Sequence, residues 1–463
     1  MKFRKSIFIL LFLITPFIVN AQDNPFKNTA TFKDFIISTG EVIGINLFVY
    51  DFNIMILDDN QTPAGIDIFL DNLKTPWIWD VSSFQRNQFL HPYFGSMYFI
   101  SGRANNLNFL ESAALTAFGS LMWETSLEGP SSSKNDFITT TTAGAIHGEI
   151  LHRLGTKTYE LNPFLGFLIS PVDGINRFVT GKKANNPSGE IYSFNISSGI
   201  SLCSTQTKSS QITISNPDSL YFPGADFSLN IIYTNPYGHK TKEFFDQFTL
   251  KADFHLLYSD FYYIDLITDG TLYSIPLYFS DSKLDNCQST GLSFNYNFHK
   301  NSFYNLSTSA AGLFLRQEIN SKNWDFKWNL ETNYIYLASC DNYFLLQKDN
   351  SIVSSNQMQP VYTFKNGPEL QINLIFDYKN LWNLYLDFNA MYLMNYKDSS
   401  KDTKFESNCF ILQSEAGYTY FFNENWGIGI KGNLYYKKDY ASKIPDTEQF
   451  LNLATLYTEF KIK

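Results

Sequence analysis

The sequence predicts a mainly β protein, a transmembrane antiparallel β-barrel of about twelve strands that follows a partly helical N-terminal block. Three observations support this fold class. The second half alternates apolar and polar residues over long stretches, the composition is rich in aromatic residues, and the chain starts with an export signal. This combination is typical of the Gram-negative outer membrane, which is the location that we expect.

The clearest strand in the sequence is the stretch Leu381–Lys397. From Trp382 to Tyr396 every second position is apolar or aromatic, and the positions between them are mostly polar. Side chains alternate across a strand, so one face of this stretch is apolar and the other is largely polar. About 9–11 residues are enough to cross a bilayer at a tilt. The stretch therefore predicts a strand with one face toward lipid and one toward a wet lumen.

The same alternation recurs from Gly189 onward and gives about twelve strands, an even number as in single-chain bacterial barrels. The clearest further examples are Phe248–Tyr258, Leu292–His299, Trp324–Tyr336, Glu369–Tyr378, Phe410–Phe422 and Trp426–Lys437. Two stretches, Asp260–Ser280 and Ala338–Gln359, leave open whether they hold extra short strands or long loops. Lipid excludes open sheet edges, so a spanning sheet has to close.

A soluble β-sandwich is the alternative architecture, and it would make the chain a soluble periplasmic binding protein. Sandwich strands are shorter, and their outer faces carry more charge. The last strand ends near Phe460, and a terminal aromatic residue suits recognition by the barrel-insertion machinery. We therefore expect that machinery and outer-membrane lipid as partners. The formal net charge of −9 argues against nucleic acid as a partner.

The composition and the first residues indicate an exported chain. Charged residues make up 17% of the sequence, against roughly 25% in soluble domains. Residues 1–21 have the features of a signal peptide, with a basic start, an apolar core at Ile7–Val19 and a small-residue cleavage site at Val19-Asn20-Ala21. After that segment no run of 18 or more apolar residues occurs, so the sequence predicts no transmembrane helix.

Residues 22–187 lack the alternation of the strand region and contain clusters of small residues, which predicts a partly helical block. We expect this block to plug the lumen or to cap its periplasmic mouth. The barrel is predicted at 188–463. The predicted helices are an amphipathic helix at Phe35–Leu57, a helix at Leu107–Glu128, a helix capped by Asn135-Asp136 that runs through Leu154, and a third segment broken by Pro163 and Pro171 that ends near Arg177. Small residues at Glu111–Ser120 and Ala143–Gly148 predict close approach between helices.

An ordered series of aromatic, glycine and charged residues runs through this block. Its members are Trp77-Ile78-Trp79-Asp80, His91-Pro92-Tyr93, Gly102-Arg103, Ser120, Trp123-Glu124, Glu128, Asn135-Asp136, Gly148-Glu149 and Arg153. The series resembles an uncharacterised family of exported domains, DUF3943, over about residues 70–180. The resemblance implies an outer-membrane protein in which this block precedes barrel strands, and it implies that these residues form one constellation. It implies no particular activity.

Two interpretations of this polar constellation stay open. Its members are Asp80, His91, Arg103, Glu124, Glu128, Asn135, Asp136, Glu149 and Arg153. The first interpretation is a structural network, in which Glu149 and Arg153 pair across one helical turn. Glu124 and Glu128 would repel each other, so we expect a cation or one of the two arginines between them.

The second interpretation is a catalytic site that hydrolyses or deacylates lipid. An acid, a histidine and a serine would form its triad: Glu124 or Glu128, His91, and Ser120 or Ser96. The sequence contains no GxSxG motif in support of this alternative.

No metal and no cofactor is expected. His147 and His152 are five residues apart, about 140° around a helix, so they do not share a face as metal ligands do. The four cysteines, Cys203, Cys287, Cys340 and Cys409, are widely scattered. We interpret the four cysteines as small residues on strands. A disulfide between two neighbouring strands remains the alternative, because the periplasmic side is oxidising.

The function that we expect from the sequence is not enzymatic. An outer-membrane barrel of this kind serves passage or binding of a small solute or lipid, or the structure of the envelope. The alternative is the lipid hydrolase that uses His91, Ser120 and Glu124.

Overall fold

The computed structural model describes residues 30–56, 65–129, 131–181, 187–209, 220–238, 240–257, 262–277, 285–301, 303–341, 362–379, 381–396, 407–441 and 445–462. The predicted signal peptide at 1–21 lies outside these residues, and so does most of the doubtful stretch Ala338–Gln359.

The N-terminal block is helical. Its α-helices are α1 (Phe32–Ile56), α2 (Ile66–Lys74), α3 (His91–Ala104), α4 (Phe109–Met122), α5 (Lys134–Leu161), α6 (Pro163–Ile169) and α7 (Pro171–Thr180). Single π-helical turns at Arg86–Leu90 and Trp123–Leu127 come directly before α3 and directly after α4. The four predicted helical segments are therefore present, with bounds that differ by several residues.

Local signals explain where two of these helices begin. A capping box starts α4: the Asn108 side chain accepts from the Glu111 N–H, and the Glu111 carboxylate accepts from the Asn108 N–H. Ser133 caps α5 through a bond from the Asp136 N–H. The predicted cap at Asn135-Asp136 was two residues too late, because Ser133, which forms a parallel β-bridge with Ile78, makes the capping bond.

Helix α3 was not predicted, because its two glycines and two serines interrupt any apolar period. The packing of α3 against α5 requires glycines on α5. A Cβ on Gly144 would lie 2.6 Å from the Cα of Gly95, and a Cβ on Gly148 would lie 2.6 Å from the Cβ of Phe99. The small residues predicted for close helix approach at Ala143–Gly148 thus lie against α3.

Twelve antiparallel strands form one closed barrel. They are β1 (Ile191–Ser209), β2 (Leu220–Tyr233), β3 (Gln247–Leu257), β4 (Tyr262–Leu277), β5 (Asp285–Asn301), β6 (Asn305–Asn320), β7 (Trp324–Asp341), β8 (Tyr362–Tyr378), β9 (Trp382–Asn395), β10 (Ser407–Phe421), β11 (Trp426–Ala441) and β12 (Thr447–Ile462). Each strand pairs with its sequence neighbours, and β1 closes the sheet on β12. The predicted barrel of about twelve strands is confirmed, and a sandwich is excluded.

The two ends of the barrel are distinguished by the chain termini. We call the end where β1 begins and β12 ends the terminal end, since Phe194 pairs with Ile462 there. The opposite end is the distal end. In outer-membrane barrels the short turns lie on the periplasmic side. The turns that join β6 to β7 and β8 to β9 at the terminal end are each three residues long.

The helical block lies against the outer wall of the barrel. In β5, Asn297 and His299 face the lumen, so Tyr296 and Phe298 between and before them face outward. Both outward rings are nonetheless buried, in one apolar cluster with residues of the block. The block residues in this cluster are Phe84, Phe99, Phe109, Ala143, Ala145, Ile146, Ile150 and Leu154.

The prediction that the block plugs the lumen or caps its mouth is therefore wrong. The block contributes apolar side chains that match the aromatic outer wall, from Tyr233 and Phe248 near the terminal end to Tyr362 and Phe364 at the distal end. The lumen is occupied by side chains of the strands themselves.

The prediction for α1 also needs correction. The helix exists, but of the five buried residues between Phe32 and Met55 three are polar (Asp34, Ser38 and Asn46) and two are Val42 and Val49, while most of its other apolar residues are exposed. Among the described residues, one helix is long and apolar enough to cross a membrane, and this is α1 over Phe32–Met55. The sequence analysis did not predict a spanning helix, because polar residues interrupt the apolar run.

Candidate functional sites

The structure separates the predicted constellation into two groups at opposite ends of α5. Arg103, Glu149 and Arg153 lie at the terminal end, whereas Asp80, His91, Glu124, Glu128, Asn135 and Asp136 lie at the distal end. Seventeen residues of helix separate Asp136 from Arg153, about 26 Å at the usual rise of an α-helix. One shared site is therefore not formed.

At the terminal end the charges are paired. The Glu149 carboxylate accepts from Arg153 Nε at 2.7 Å and from Arg103 Nη2 at 3.2 Å, and Arg103 Nε lies 2.8 Å from Glu149 Oε2 as an ion pair. Glu243, in the loop between β2 and β3, completes the network at 2.9 Å from Arg153 Nη2. Arg153 also donates through Nη1 to the Ser188 carbonyl at 2.7 Å. This group, the arginine network, fastens the helices to the barrel at the start of β1.

The predicted ion pair between Glu149 and Arg153 is present, and both side chains are fully buried. The prediction that Arg103 or Arg153 lies between Glu124 and Glu128 is wrong, because both arginines are engaged with Glu149 and Glu243. Glu243 was missed by the sequence analysis. It lies in a loop outside the block, and no local pattern links it to α5.

At the distal end four carboxyl groups and a histidine come together without a basic partner. We call Asp80, Glu124, Glu128, Asp136 and His91 the acidic cluster. Among the described residues, no lysine or arginine forms an ion pair with any of its four acids. Glu124 lies within the second π-helical turn and His91 directly follows the first, and such turns frequently occur at functional sites.

Hydrogen bonds from the backbone and from neutral side chains hold the acidic cluster in place. Glu124 accepts from the Ser133 N–H at 2.7 Å. Asp136 accepts from the Asn135 amide at 2.7 Å, and the same amide reaches the Asp80 carbonyl at 3.1 Å. Asn135 in turn accepts from the Asp80 N–H at 2.7 Å. Asn135 is therefore the residue that joins the loop at Asp80 to the start of α5.

The carboxyl groups of this cluster hold their protons more tightly than usual. Burial raises the pKa of Glu124 well above its ordinary value, and Glu128 and Asp136 add to the rise. Burial also raises the pKa of Glu128, although His91 opposes this. Burial and the neighbouring Asp80 raise the pKa of Asp136 well above its ordinary range. Glu124 Oε1 and Glu128 Oε2 are both buried without a hydrogen-bond partner among the residues that the structure describes, so the protonated form of each carboxyl is favoured.

The residues of the predicted triad do not contact one another as a triad. His91 Nδ1 bonds to Thr140 Oγ1 at 3.2 Å, and burial lowers the pKa of His91. Ser96 donates to the Tyr93 carbonyl at 2.6 Å. Ser120 is buried on α4, and no hydrogen bond from its hydroxyl to His91 or Glu124 is formed. The lipid hydrolase stays a prediction without a geometric argument in its favour.

The histidines and cysteines of the sequence analysis lie apart from both groups. His147 packs its ring edge-on against Tyr296 of the barrel wall, and His152 bonds to Asp173 at 2.9 Å. Within the described ranges no three His, Cys, Asp or Glu residues are arranged to hold a metal ion. The sulfur atoms of Cys340 on β7 and Cys409 on β10 lie 3.9 Å apart across the lumen, as free thiols.

A third candidate site lies inside the barrel. The lumen contains a cavity of about 290 Å³. Five acidic side chains line it, against three basic ones. The charged lining residues are Lys251, Asp253, Asp265, Asp269, Arg316, Lys327, Asp387 and Glu415, joined by Tyr192, Tyr237, Tyr263, Tyr304 and Tyr435.

The three basic residues of the cavity each have an acidic partner. Lys251 lies 2.6 Å from Glu415 and 3.4 Å from Asp253. Lys327 pairs with Glu318 at 3.1 Å, and Arg316 lies 3.6 Å from Glu331. Two acids are left without an ion pair in the described part of the chain, Asp269 and Asp387.

Apolar side chains pack together in the lumen on the distal side of this cavity. The rings of Tyr304 and Tyr435 stack with centroids 3.7 Å apart. The members of this lumenal layer are Cys203, Tyr263, Phe303, Tyr304, Leu306, Ala310, Ile335, Ala338, Cys340, Met391, Leu393, Cys409, Ile411, Tyr435, Leu451 and Leu453. The sequence analysis missed the layer, although Met391 and Leu393 interrupt the polar face of the stretch Leu381–Lys397 and signal it.

The chain was compared with known proteins. The model of a family described as Domain of unknown function (DUF3943) matches residues 76–165. The resemblance predicted from the sequence is confirmed. The DUF3943 segment runs from Trp77 through α3, α4 and α5, so it holds both the arginines of the network and the acidic cluster. No curated protein matches the chain.

Solved structures with a similar barrel include the KdgM porin in complex with disordered oligogalacturonate, at 10% identity and a TM-score of 0.22, covering 57% of this chain and 99% of that one. The outer membrane protein OprG from Pseudomonas aeruginosa matches at 10% sequence identity with a TM-score of 0.18. This match covers 58% of this chain and 95% of that one. An outer membrane channel from Pseudomonas putida F1 matches at 9% sequence identity with a TM-score of 0.26. This match covers 60% of this chain and 96% of that one. Scores this low carry no functional argument.

Proposed function

We propose that the protein is an outer-membrane β-barrel that binds a small cationic solute in a closed lumen. The observation that supports this function is the lumenal cavity, with its excess of carboxylates and its apolar distal wall. The exposed apolar residues of the barrel wall, such as Ile200 and Ile430, support a place in a membrane. Export by a cleaved signal peptide at 1–21 is part of the same proposal.

The charge of the cavity selects the class of solute. Asp269 and Asp387 face the cavity with no ion pair in the described ranges. A third lining acid, Asp265, has its Oδ1 atom 2.7 Å from Nδ1 of His299. Asp387 accepts from the Asn373 amide at 3.0 Å, but a buried carboxylate without a charged partner carries a large desolvation cost that a bound cation relieves. The tyrosines around them add faces on which an organic cation packs. At about 290 Å³ the cavity is at the small end of ligand sites, which favours a solute over a lipid.

Binding fits the lumen better than free passage. The lumenal layer crosses the barrel between the cavity and the distal end, and its rings and thiols are in van der Waals contact. A hydrated ion cannot cross such a layer unless several strands rearrange, because apolar constrictions exclude water. The wild-type protein is therefore expected to be closed.

Calorimetry with putrescine as the probe tests the binding site. We expect putrescine to bind the purified barrel in detergent, and glucuronate not to bind. Asp269→Asn together with Asp387→Asn removes charged partners worth about 1.5–3 kcal/mol each, so the affinity should fall at least about tenfold. Glu448→Gln, on the outer face where it pairs with Lys438 at 2.9 Å, is the matched control. Equal affinity in the double variant, or no binding of putrescine, contradicts the proposal.

Conductance in planar bilayers tests the closed lumen. Wild-type protein in potassium chloride should show no steady open-pore current. Tyr304→Ala together with Tyr435→Ala removes the stacked pair and should produce a cation-selective current. Tyr440→Ala, on the same strand as Tyr435 but facing outward and exposed, should leave the bilayer silent. A large steady current through the wild type would contradict closure.

A further inference from the structure

The helical block has the surface of a membrane protein. Phe48 on α1 is 69% exposed and Phe178 on α7 is 90% exposed. Other exposed apolar residues of the block include Phe32, Phe35, Ile36, Leu47, Met55, Leu161, Phe164, Leu168, Ile175 and Val179. Helices of a water-soluble domain turn such residues inward.

The interior of the block combines apolar side chains, such as Phe99 and Ile146, with buried polar side chains that bond across helices. Asn46 is fully buried, donates to the Gly119 carbonyl at 3.2 Å and accepts from the Tyr98 hydroxyl at 2.6 Å. Asp173 is buried between His152 and Ser170, at 2.9 and 2.6 Å. Polar side chains that bond across helices, with apolar ones outside, are the arrangement of helices packed in lipid.

The close contact of α3 with α5 fits the same environment. Gly95 and Gly144 bring the two backbones together, so that a Cβ on Gly95 would lie 2.0 Å from the Thr140 carbonyl oxygen. Small residues at the contact allow helices to gain van der Waals energy where no hydrophobic effect drives them together.

The position of the block on the barrel places this surface at membrane depth. The block covers the outward side chains of Tyr233 and Phe248 near the terminal end and of Phe364 at the distal end. The apolar belt of such a barrel is about 25 Å tall, and α5, with 28 residues, is about 42 Å long. A block that reaches both ends of the outer wall occupies space that would otherwise be filled by lipid.

We infer that the helical block is embedded in the membrane beside the barrel and presents the exposed apolar faces of α1, α6 and α7 to lipid acyl chains. The occupant of this face is lipid because the face continues the bare apolar wall of the barrel, where Ile430 is 58% exposed. This inference rests on the proposed membrane location of the barrel. It gives the protein a lateral helical domain and an asymmetric contact with the bilayer.

Spin labelling in phosphatidylcholine vesicles tests the inference. Labels are attached to Phe48→Cys and Phe178→Cys on the block, to Ile430→Cys on the bare wall, and to Asn423→Cys in the turn between β10 and β11. The unsubstituted protein supplies the blank for the native cysteines, three of which are buried. Oxygen, which concentrates in lipid, and a water-soluble nickel chelate compete as relaxation agents.

We expect the labels at 48 and 178 to respond to oxygen as the label at 430 does, and the label at 423 to respond to the nickel chelate. If the labels at positions 48 and 178 respond to the nickel chelate as the label at 423 does, while the label at 430 responds to oxygen, the block lies in water. In that case only this inference fails. If 430 itself responds to the chelate, the proposed membrane location fails. If 48 and 178 are shielded from both agents and show spin–spin coupling between two molecules, the face is an interface between copies and the inference is overturned.

Discussion

The two ends of α5 hold buried charge in opposite ways. At the terminal end, two arginines and two glutamates neutralise one another within about one hydrogen-bond length. At the distal end, the four acids of the acidic cluster have only neutral donors and His91 around them. The same helix thus carries a compensated group and an uncompensated one, about 26 Å apart.

The arginine network and the acidic cluster are stabilised in different ways. Charged groups can remain ionised in a dry site when their partners are as close as Arg153 Nε and Glu149 Oε1, at 2.7 Å. The acidic cluster has no such partner, and burial together with the neighbouring acids raises the pKa of Glu124 and of Asp136. The first group should be insensitive to pH near neutrality, and the second should not.

Removing one member of the arginine network should have the largest effect. Arg153→Met leaves Glu149 buried with half of its compensation, and the loss of one partner in such a pair costs about 3–5 kcal/mol. The free energy of unfolding, measured by guanidinium denaturation in detergent micelles, should fall by that amount. The double variant Arg153→Met with Glu149→Met is the control, and it should recover part of the loss. A double variant no better than the single one would show that the charges are not coupled.

A substitution midway along α5 should have an intermediate effect. Gly144→Val inserts a side chain against the backbone of Gly95, and overpacking of this kind costs about 1–3 kcal/mol. Both ends of the helix should then loosen together in hydrogen exchange, since α3 and α5 separate. Gly432→Val is the control, because the only atom near its Cβ is 4.0 Å away. Similar losses in both variants would argue against a special role for the contact.

Neutralising an acid of the distal cluster should have the smallest effect, and it should depend on pH. A carboxyl whose pKa is raised in the folded state stabilises the fold fully below its unfolded pKa of about 4.3. That stabilisation is lost as the pH rises through the folded pKa. Glu124→Gln mimics the protonated form and still accepts from the Ser133 N–H.

The stability of the wild type should therefore decrease from pH 5 toward pH 8, and that of Glu124→Gln should decrease less. Denaturation midpoints at a series of pH values measure the difference. Glu190→Gln, on an exposed side chain before β1, should follow the wild type at every pH. Parallel curves for all three proteins would mean that the cluster stays ionised in the folded state.

The alternation of residues predicted most of the barrel. The stretch Leu381–Lys397 appears as β9, and its two faces are those expected from the sequence at positions such as Leu386 outside and Asp387 inside. The prediction failed near the distal end of the lumen, where Met391 and Leu393 make both faces apolar. A period of two assigns residues to faces, but it does not say whether the inner face is wet.

The candidate site was predicted in its residues but not in its grouping. The spacing of Glu149 and Arg153 predicted their ion pair, because neighbours on one helix are fixed by local geometry. The partner Glu243, which lies 90 residues further along the chain than Arg153, leaves no such trace. The placement of Asp80 beside Asp136 likewise depends on how a loop and a helix pack, and local spacing contains no information about that.

By itself the sequence determined the barrel, its approximate strand number and the helical character of the first block, because these follow from local periodicity and from the length of strand that a bilayer requires. Only the tertiary structure decided that the block lies outside the barrel, that apolar side chains pack in the distal part of the lumen, and that the predicted constellation forms two separate groups. Those outcomes depend on which apolar surfaces match in shape over long sequence separations, and packing of that kind is not encoded in any single stretch of the chain.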